Sequence, residues 1–204
     1  MEILEDKTTK ELLKETLSKG VSYHEYRTSV ENLANEGKST GTNQTEALSN
    51  YTLLNHKRMK RWDKTFKTKM DNVLKTDKKM TWIVLTESWC GDAAHSMPIM
   101  NKIVEQDPNI TLKVVLRDEN LELMNRFLTN GTLAIPKLIM VDDETGDVVG
   151  DWGPRPRAVL ERVENFKELH GKLTSEFKEE LQIWYNKDKG GNTFNDLLQL
   201  LALE

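Results

Sequence analysis

The sequence has no paired cysteines and no long apolar run, and we expect no signal peptide in its first residues. Its 204 residues contain one cysteine, Cys90, which excludes a disulfide within the chain. No apolar run approaches the roughly 20 residues that a membrane-spanning helix needs. Acidic residues begin at Glu2 and no apolar segment follows them, a pattern unlike that of a signal peptide. We therefore expect a cytoplasmic protein that does not enter a membrane, because cytoplasmic thiols stay reduced.

Metal-ligating patterns are also scarce. With one cysteine and no His-x-x-x-His pair, we expect no metal site within one chain and no cofactor. The composition, 37% hydrophobic and 30% charged, is typical of a folded globular protein. The net charge of -4 excludes no class of partner.

The charge is unevenly distributed. Residues 55–80 hold ten Lys or Arg against three Asp. Such a run is either the solvated face of a packed helix or a surface for an anionic partner, such as nucleic acid or a phosphorylated thiol cofactor. No aromatic residues alternate with the basic ones on this face, so nucleic acid is disfavoured.

The order of the apolar patterns predicts an α/β fold with a mixed sheet. Helical spacing covers 7–18, 21–35 and 44–74, and the last of these carries an apolar stripe that includes Met70 and Val73. A strand (81–85), a helix (92–105) and a strand (111–116) then predict a parallel pair. A helix over 120–129 precedes an antiparallel hairpin, 137–141 with 147–152. Three further helices are predicted, the first ending near 170 and the others over 174–185 and 192–203.

This order suggests three parts. We expect a helical N-terminal extension (1–78) packed on the core, an α/β domain (79–170) and C-terminal helices (171–204).

The stretch from Thr81 to Pro98 places Cys90 between a strand end and a helix start. Free amides and the dipole of a helix N-terminus stabilise a thiolate. Glu87 and Asp92 oppose that effect, so we expect a thiol pKa of about 7 to 8. His95, further along the same helix, either assists proton transfer or is a surface or half-buried helix residue, and we favour the second.

Four short motifs in this order resemble those of the thioredoxin superfamily. Trp89-Cys90-Gly91 is similar to the start of the thioredoxin Trp-Cys-Gly-Pro-Cys site, and Pro98 stands where that family kinks the same helix. Leu133 to Leu138 resembles the segment that holds the family's cis-proline, and Asp151-Trp152-Gly153 resembles the glycine turn after the hairpin. The resemblance covers about residues 78–170 and implies a thioredoxin-like fold. The pattern Ser-Trp-Cys-Gly-Asp-Ala resembles a bacterial thioredoxin-like subfamily with a single cysteine.

The resemblance also implies the site residues. Cys90 is the expected nucleophile, and the substrate-binding surface is expected from the residues around it: Trp89, Gly91, Asp92, Ile135 and Pro136. Trp152 belongs either to this site or to hairpin packing. Arg155 and Arg157 either bind a carboxylate, such as that of a small thiol, or serve as helix-start ion pairs.

Two elements of a thioredoxin site are missing. The second cysteine falls on Ala93, and the family's buried acid falls on Val84. A thiol-disulfide cycle needs a group that resolves the mixed disulfide, and here it must come from outside the chain.

Three functions therefore stay open. The first, which we favour because Trp89-Cys90-Gly91 with Pro136 keeps the half of the site that performs the attack, is a monothiol redox protein whose partner is a protein or a low-molecular-weight thiol or disulfide. The second is a redox-inactive binding module that uses the Cys90/Pro136 surface and the added helices. The third is a metal or iron-sulfur centre bridged between two chains, which is one way in which a homo-oligomer could form.

Overall fold

The computed structural model describes residues 7–67 and 75–202. Its helices and strands follow one another in this order: α1 (Thr9–Lys19), α2 (Tyr23–Asn35), α3 (Glu46–Thr65), β1 (Met80–Thr86), α4 (Gly91–Val104), β2 (Ile110–Leu116), α5 (Leu121–Met124), β3 (Lys137–Asp142), β4 (Val148–Trp152), α6 (Arg157–His170), α7 (Ser175–Asp188) and α8 (Gly191–Leu201).

The four strands form one mixed sheet in the order β2-β1-β3-β4. β1 is parallel to β2 and antiparallel to β3, and β3 is antiparallel to β4. The predicted parallel pair and the predicted hairpin are therefore confirmed. Every residue of β1 is buried, because this central strand has neighbours on both edges and helices on both faces.

The N-terminal helices contribute to the same hydrophobic core as the sheet. Side chains of α1, α2 and α3, such as Leu13, Val30 and Met59, belong to one buried cluster with those of β1 and α4. Helix α3 packs against α4, and α8 packs against α4 as well. A second, smaller cluster joins α6 to α7 through residues that include Val163 and Phe177.

Two helix predictions were too long. Helix α3 ends at Thr65, where Phe66 takes an extended conformation and caps the helix. The predicted stripe residues Met70 and Val73 lie outside the described residues. Helix α5 covers four residues where ten were predicted, because the chain turns through 3-10-type hydrogen bonds from Arg126 and Phe127 to carbonyls three residues earlier.

The starts of the first two helices follow from local sequence. Thr8 and Glu11 form a reciprocal capping box at α1, and Ser22 with Glu25 forms another at α2. Each box satisfies two backbone N–H groups that a helix start leaves without partners.

Candidate functional site

The loop between β1 and α4 is held from the N-terminal side by a buried hydroxyl network around Ser88. The Ser88 Oγ lies 2.8 Å from the Thr52 hydroxyl and accepts the backbone N–H of Thr40 at 2.9 Å. The Thr40 hydroxyl accepts the backbone N–H of Ser88, and the Asn55 amide donates to the Ser88 carbonyl. Residues before the sheet therefore fix the position of the loop that carries Cys90.

Cys90 is the N-cap of α4 and is 7% exposed. Its thiol donates to the Ile135 carbonyl at 3.2 Å, and its Sγ accepts the Ala93 backbone N–H at 3.5 Å. The pKa of this thiol is raised to about 12, mainly by burial and then by the Asp92 carboxylate, whereas the backbone N–H groups of Ala93 and Asp92 and the Arg155 charge lower it.

The expectation of a thiol pKa between 7 and 8 is therefore wrong for this structure. The helix N-terminus does face Cys90, as predicted, but its amides do not offset the loss of water around the sulfur. Asp92 opposes the thiolate as expected. Cys90 is a neutral thiol at physiological pH in this arrangement.

Asp92 is held by two residues that follow the hairpin. Its Oδ2 pairs with the Arg155 guanidinium at 2.6 Å, and its Oδ1 accepts the Tyr185 hydroxyl at 3.0 Å. The side chains of Asp92 and Arg155 are 17% and 16% exposed, so this is a partly desolvated ion pair. Arg157 lies at the exposed start of α6, where its backbone N–H donates to Asp196.

His95 is buried and joins three helices, so the expectation of a surface or half-buried residue is wrong. Its Nδ1 accepts the Trp62 indole N–H at 2.9 Å, and its Nε2 faces the Gln182 amide. The ring stacks on Tyr185 with centroids 4.3 Å apart. Burial lowers the pKa of His95 to about 4, so the imidazole is neutral at physiological pH and ties α3 and α7 to α4.

A pocket of about 380 Å³ opens above Cys90. Its walls come from α3, the Cys90 loop, the start of α4, the segments before β3 and after β4, and α7 with the residues before it. The lining residues are Leu48, Tyr51, Arg58, Trp89, Cys90, Gly91, Asp92, His95, Ile135, Arg155, Leu173, Lys178, Leu181, Gln182 and Tyr185. The volume is within the range of small-molecule sites.

The segment before β3 passes close to Cys90. The Ile135–Pro136 peptide bond is cis, and so is Gly153–Pro154. Gly153 has a φ of +123°, and a Cβ there would stand 2.1 Å from the Pro136 carbonyl oxygen. Only glycine fits this close approach, which explains the glycine after the hairpin.

The predicted site residues are placed close together. Trp89, Gly91, Asp92 and Ile135 line the pocket with Cys90, whereas Pro136 is buried behind Ile135 and does not line it. The Arg117 guanidinium lies 5.0 Å from the centre of the Trp89 ring. Trp152 is buried, and its indole N–H donates to Asp196 away from the pocket lining.

Sequence reasoning missed the walls supplied by α3 and α7. Arg58, Tyr185 and Gln182 reach the site from helices far from Cys90 in the chain. Arg58 lies within the basic run, whose Lys57 and Lys60 are exposed. Nothing in the neighbouring sequence distinguishes Arg58 from these lysines, so its place in the pocket wall could not be predicted.

A buried acid is present at a position that the resemblance did not indicate. Val84 is buried within β1, whereas Glu87 in the following loop is 0% exposed. The Glu87 Oε1 accepts the Asp118 backbone N–H at 2.9 Å, and Oε2 has no hydrogen-bond partner among the described residues. Burial raises the pKa of this carboxyl group.

Other functional features are not found in the described part of the chain. Residues 7–67 and 75–202 place no three His, Cys, Asp or Glu side chains where they could hold a metal ion. None of the helices described there is long and apolar enough to cross a membrane.

Comparison with known proteins shows the family. A family model described as thioredoxin matches residues 41–167, more than half of the chain, and the chain therefore belongs to the thioredoxin family. Its mixed sheet with flanking helices is a thioredoxin-like fold with additional N-terminal and C-terminal helices. No curated protein matches the chain.

Two solved structures share this fold. A protein of unknown function from Pseudomonas aeruginosa is 17% identical, with 89% of this chain and 98% of that chain covered and a TM-score of 0.56. An HIV epitope-scaffold is 16% identical, with 90% of this chain and 99% of that chain covered and a TM-score of 0.55.

Proposed function

We propose that this protein is a redox-inactive binding module of the thioredoxin fold, whose pocket above Cys90 holds a small ligand. The observation that carries the proposal is the pocket itself. Helices α3 and α7, which lie outside the predicted α/β domain, wall the position of Cys90, where the resemblance places the thioredoxin active site. A ligand there contacts both added helices and the Cys90 loop at once.

The state of Cys90 supports this proposal over catalysis. Thiol-disulfide exchange is carried out by the thiolate, and a thiol pKa near 12 leaves very little thiolate at physiological pH. The chain also has no second cysteine to resolve a mixed disulfide. In this proposal Cys90 is a small neutral side chain that forms the floor of the pocket.

One observation favours monothiol exchange as a second candidate. Cys90 lines an open pocket beside the Ile135 carbonyl, so a disulfide can reach it. In that reaction the Cys90 thiolate attacks a disulfide R–S–S–R′, forms Cys90–S–S–R and releases R′S⁻. An external thiol then attacks the mixed disulfide, forms its own disulfide with R and returns Cys90 to the reduced state.

Two measurements separate the candidates. Ultraviolet titration of thiolate absorbance in wild type and Cys90→Ser should give a pKa well above 9. Incubation with a glutathionylated substrate and free glutathione should give no deglutathionylation above the Cys90→Ser background. Turnover that disappears in Cys90→Ser would refute the binding module and support the monothiol enzyme.

Binding itself is tested with a pocket-filling variant. Native mass spectrometry of the purified protein should show a small-molecule adduct, or recover one after exposure to cell metabolites. Leu48→Trp, which places a large ring in the wall of the pocket, should lose that adduct. An adduct retained unchanged in Leu48→Trp would place the ligand elsewhere and contradict the proposal.

Three further proposals concern the subfamily of the chain, its location in the cell and its division into parts. We infer that the chain belongs to a bacterial subfamily with a single cysteine, since Asp92 and Ala93 replace the proline and the second cysteine of the thioredoxin motif. We place it in the cytoplasm, where Cys90 stays reduced. We also propose the division into an extension (1–78), a thioredoxin-like domain (79–170) and C-terminal helices (171–204).

A further inference from the structure

The charges around the pocket do not cancel. The lining contains Arg58, Arg155 and Lys178, whereas Asp92 is its one acidic residue among the described residues. His95 is neutral at physiological pH and adds no charge. The pocket therefore carries an excess of two positive charges in a partly enclosed space, where electrostatic interactions are stronger than in water.

Asp92 forms its ion pair with Arg155 and acts on Arg58 only at a distance. The ion pair of 2.6 Å occupies the Asp92 Oδ2, and the Tyr185 hydroxyl occupies its Oδ1. Arg58 donates to a neutral group, the Asn55 amide oxygen, at 3.1 Å. Neither Arg58 nor Lys178 has a carboxylate partner among the described residues.

Arg58 is placed to meet a ligand beside Cys90. It is half-buried, and a Cβ at Gly91 would stand 3.4 Å from its Nη1, so the guanidinium lies over the first residue of α4. The N-terminus of that fourteen-residue helix adds positive potential at the same place. Burial lowers the pKa of Arg58 because the charged guanidinium has lost contact with water. An anion bound at this position would offset that cost.

Apart from the polar groups of His95, Gln182 and Tyr185, much of the remaining wall is apolar. Leu48 and Tyr51 face it from α3, and Leu173 and Leu181 face it from the other side. Ile135 closes the inner end near Cys90. A ligand that fits these walls has an apolar body and one charged end.

We propose that the pocket binds a small organic carboxylate with an apolar tail, with the carboxylate on Arg58 and the tail between α3 and α7. Lys178 assists from the exposed rim. This inference names the ligand class of the proposed binding site and rests on that proposed function. It assigns to Arg58 a recognition role that the thioredoxin-like resemblance did not supply.

The test uses three probes with one hydrocarbon chain and different head groups: octanoate, octanol and octylammonium. Isothermal titration of the full chain should show that octanoate binds most tightly and octylammonium least. Arg58→Met should weaken octanoate about tenfold or more, the effect of a lost charge-assisted hydrogen bond, and leave octanol unchanged. Arg58→Lys, which keeps the charge, should retain the preference for octanoate.

Matched controls lie on the same two helices. Lys57→Met and Lys187→Met remove exposed charges outside the pocket and should leave octanoate binding unchanged. Lys178→Met should weaken it by up to about fivefold, as a rim charge does. Circular dichroism identifies any variant that fails to fold, and Arg58→Gln, which also removes the charge, then replaces Arg58→Met.

The outcomes distinguish the carboxylate inference from the small-ligand function on which it rests. If octanol or octylammonium binds as tightly as octanoate, and Leu48→Trp abolishes that binding, the pocket holds ligands but the carboxylate inference is wrong. If octanoate binds equally well to wild type and Arg58→Met, Arg58 does not recognise the anion and the inference also fails. If none of the three probes binds while native mass spectrometry still shows an adduct that Leu48→Trp loses, the carboxylate inference is wrong and the small-ligand function stands; if that adduct is also absent, both are refuted.

Discussion

The histidine beneath the pocket makes the stability of this protein depend on pH in a defined range. His95 is 2% exposed and stays neutral in the folded chain, with its pKa lowered from 6.5 to about 4. Burial is the main cause, and Arg58 and Arg61 on α3 lower the pKa further, while Gln182 on α7 opposes them. In the unfolded chain the imidazole regains an ordinary pKa.

The sign of the effect follows from proton binding. Between pH 6.5 and 4 the unfolded chain binds a proton at His95 that the folded chain does not, so acid favours unfolding. The stability that this group contributes is complete above about pH 6.5 and is lost as the pH falls to 4. The pKa of His95 falls from 6.5 in the unfolded chain to about 4 in the folded chain, and one pKa unit corresponds to about 1.4 kcal/mol. The free energy of unfolding therefore falls by about 3 kcal/mol by pH 4.

Urea unfolding of wild type and His95→Asn across this range isolates the contribution of His95. Asparagine can accept the Trp62 indole N–H but leaves Gln182 without its partner, so we expect it to cost about 1–3 kcal/mol at pH 7. The difference between the two proteins should shrink as the pH falls to 4, and it should change sign if the cost at pH 7 is below about 3 kcal/mol. Curves that stay parallel over this range, or an NMR titration of folded His95 with a midpoint near 6.5, would refute the reasoning.

Three further predictions concern the site and its support. Asp92→Asn should lower the Cys90 thiol pKa, because the carboxylate now raises it; an unchanged ultraviolet titration would contradict this. Thr52→Val should destabilise the protein by about 1–3 kcal/mol in urea unfolding because it breaks the buried hydroxyl network, whereas the exposed Thr28→Val should cost far less. Deleting residues 1–41 should make the chain insoluble or sharply lower its melting temperature, because α1 and α2 complete the core; an unchanged melting temperature would show that they are dispensable.

Much of the fold could be predicted because it depends on local patterns. The β-branched run at Ile83 and Val84 indicated a central buried strand, and the spacing to the next apolar run indicated a parallel partner. The hairpin followed from two apolar runs and a short turn with Gly146. Helix ends were less accurate: α3 stops at Thr65 and α5 is a single turn, since tertiary contacts and turn bonds end these helices.

The environment of Cys90 could not be predicted in the same way. The chain order did place Cys90 at the start of α4, and the motif placed Trp89 and Asp92 beside it. Whether amides or burial determine the pKa depends on how much water reaches the sulfur. That quantity is set by residues such as Tyr185, which is 95 positions away in the chain.

The sequence by itself determined the order of strands and helices, the single cysteine and its place at a helix start, because each depends on residues close together in the chain. The tertiary structure alone decided that α3 and α7 enclose that cysteine and that His95 joins them to α4. It also decided that Arg58 turns towards the pocket while its basic neighbours face solvent. Burial and electrostatic effects sum over all the groups that surround an atom, and those neighbours come together only when the chain folds.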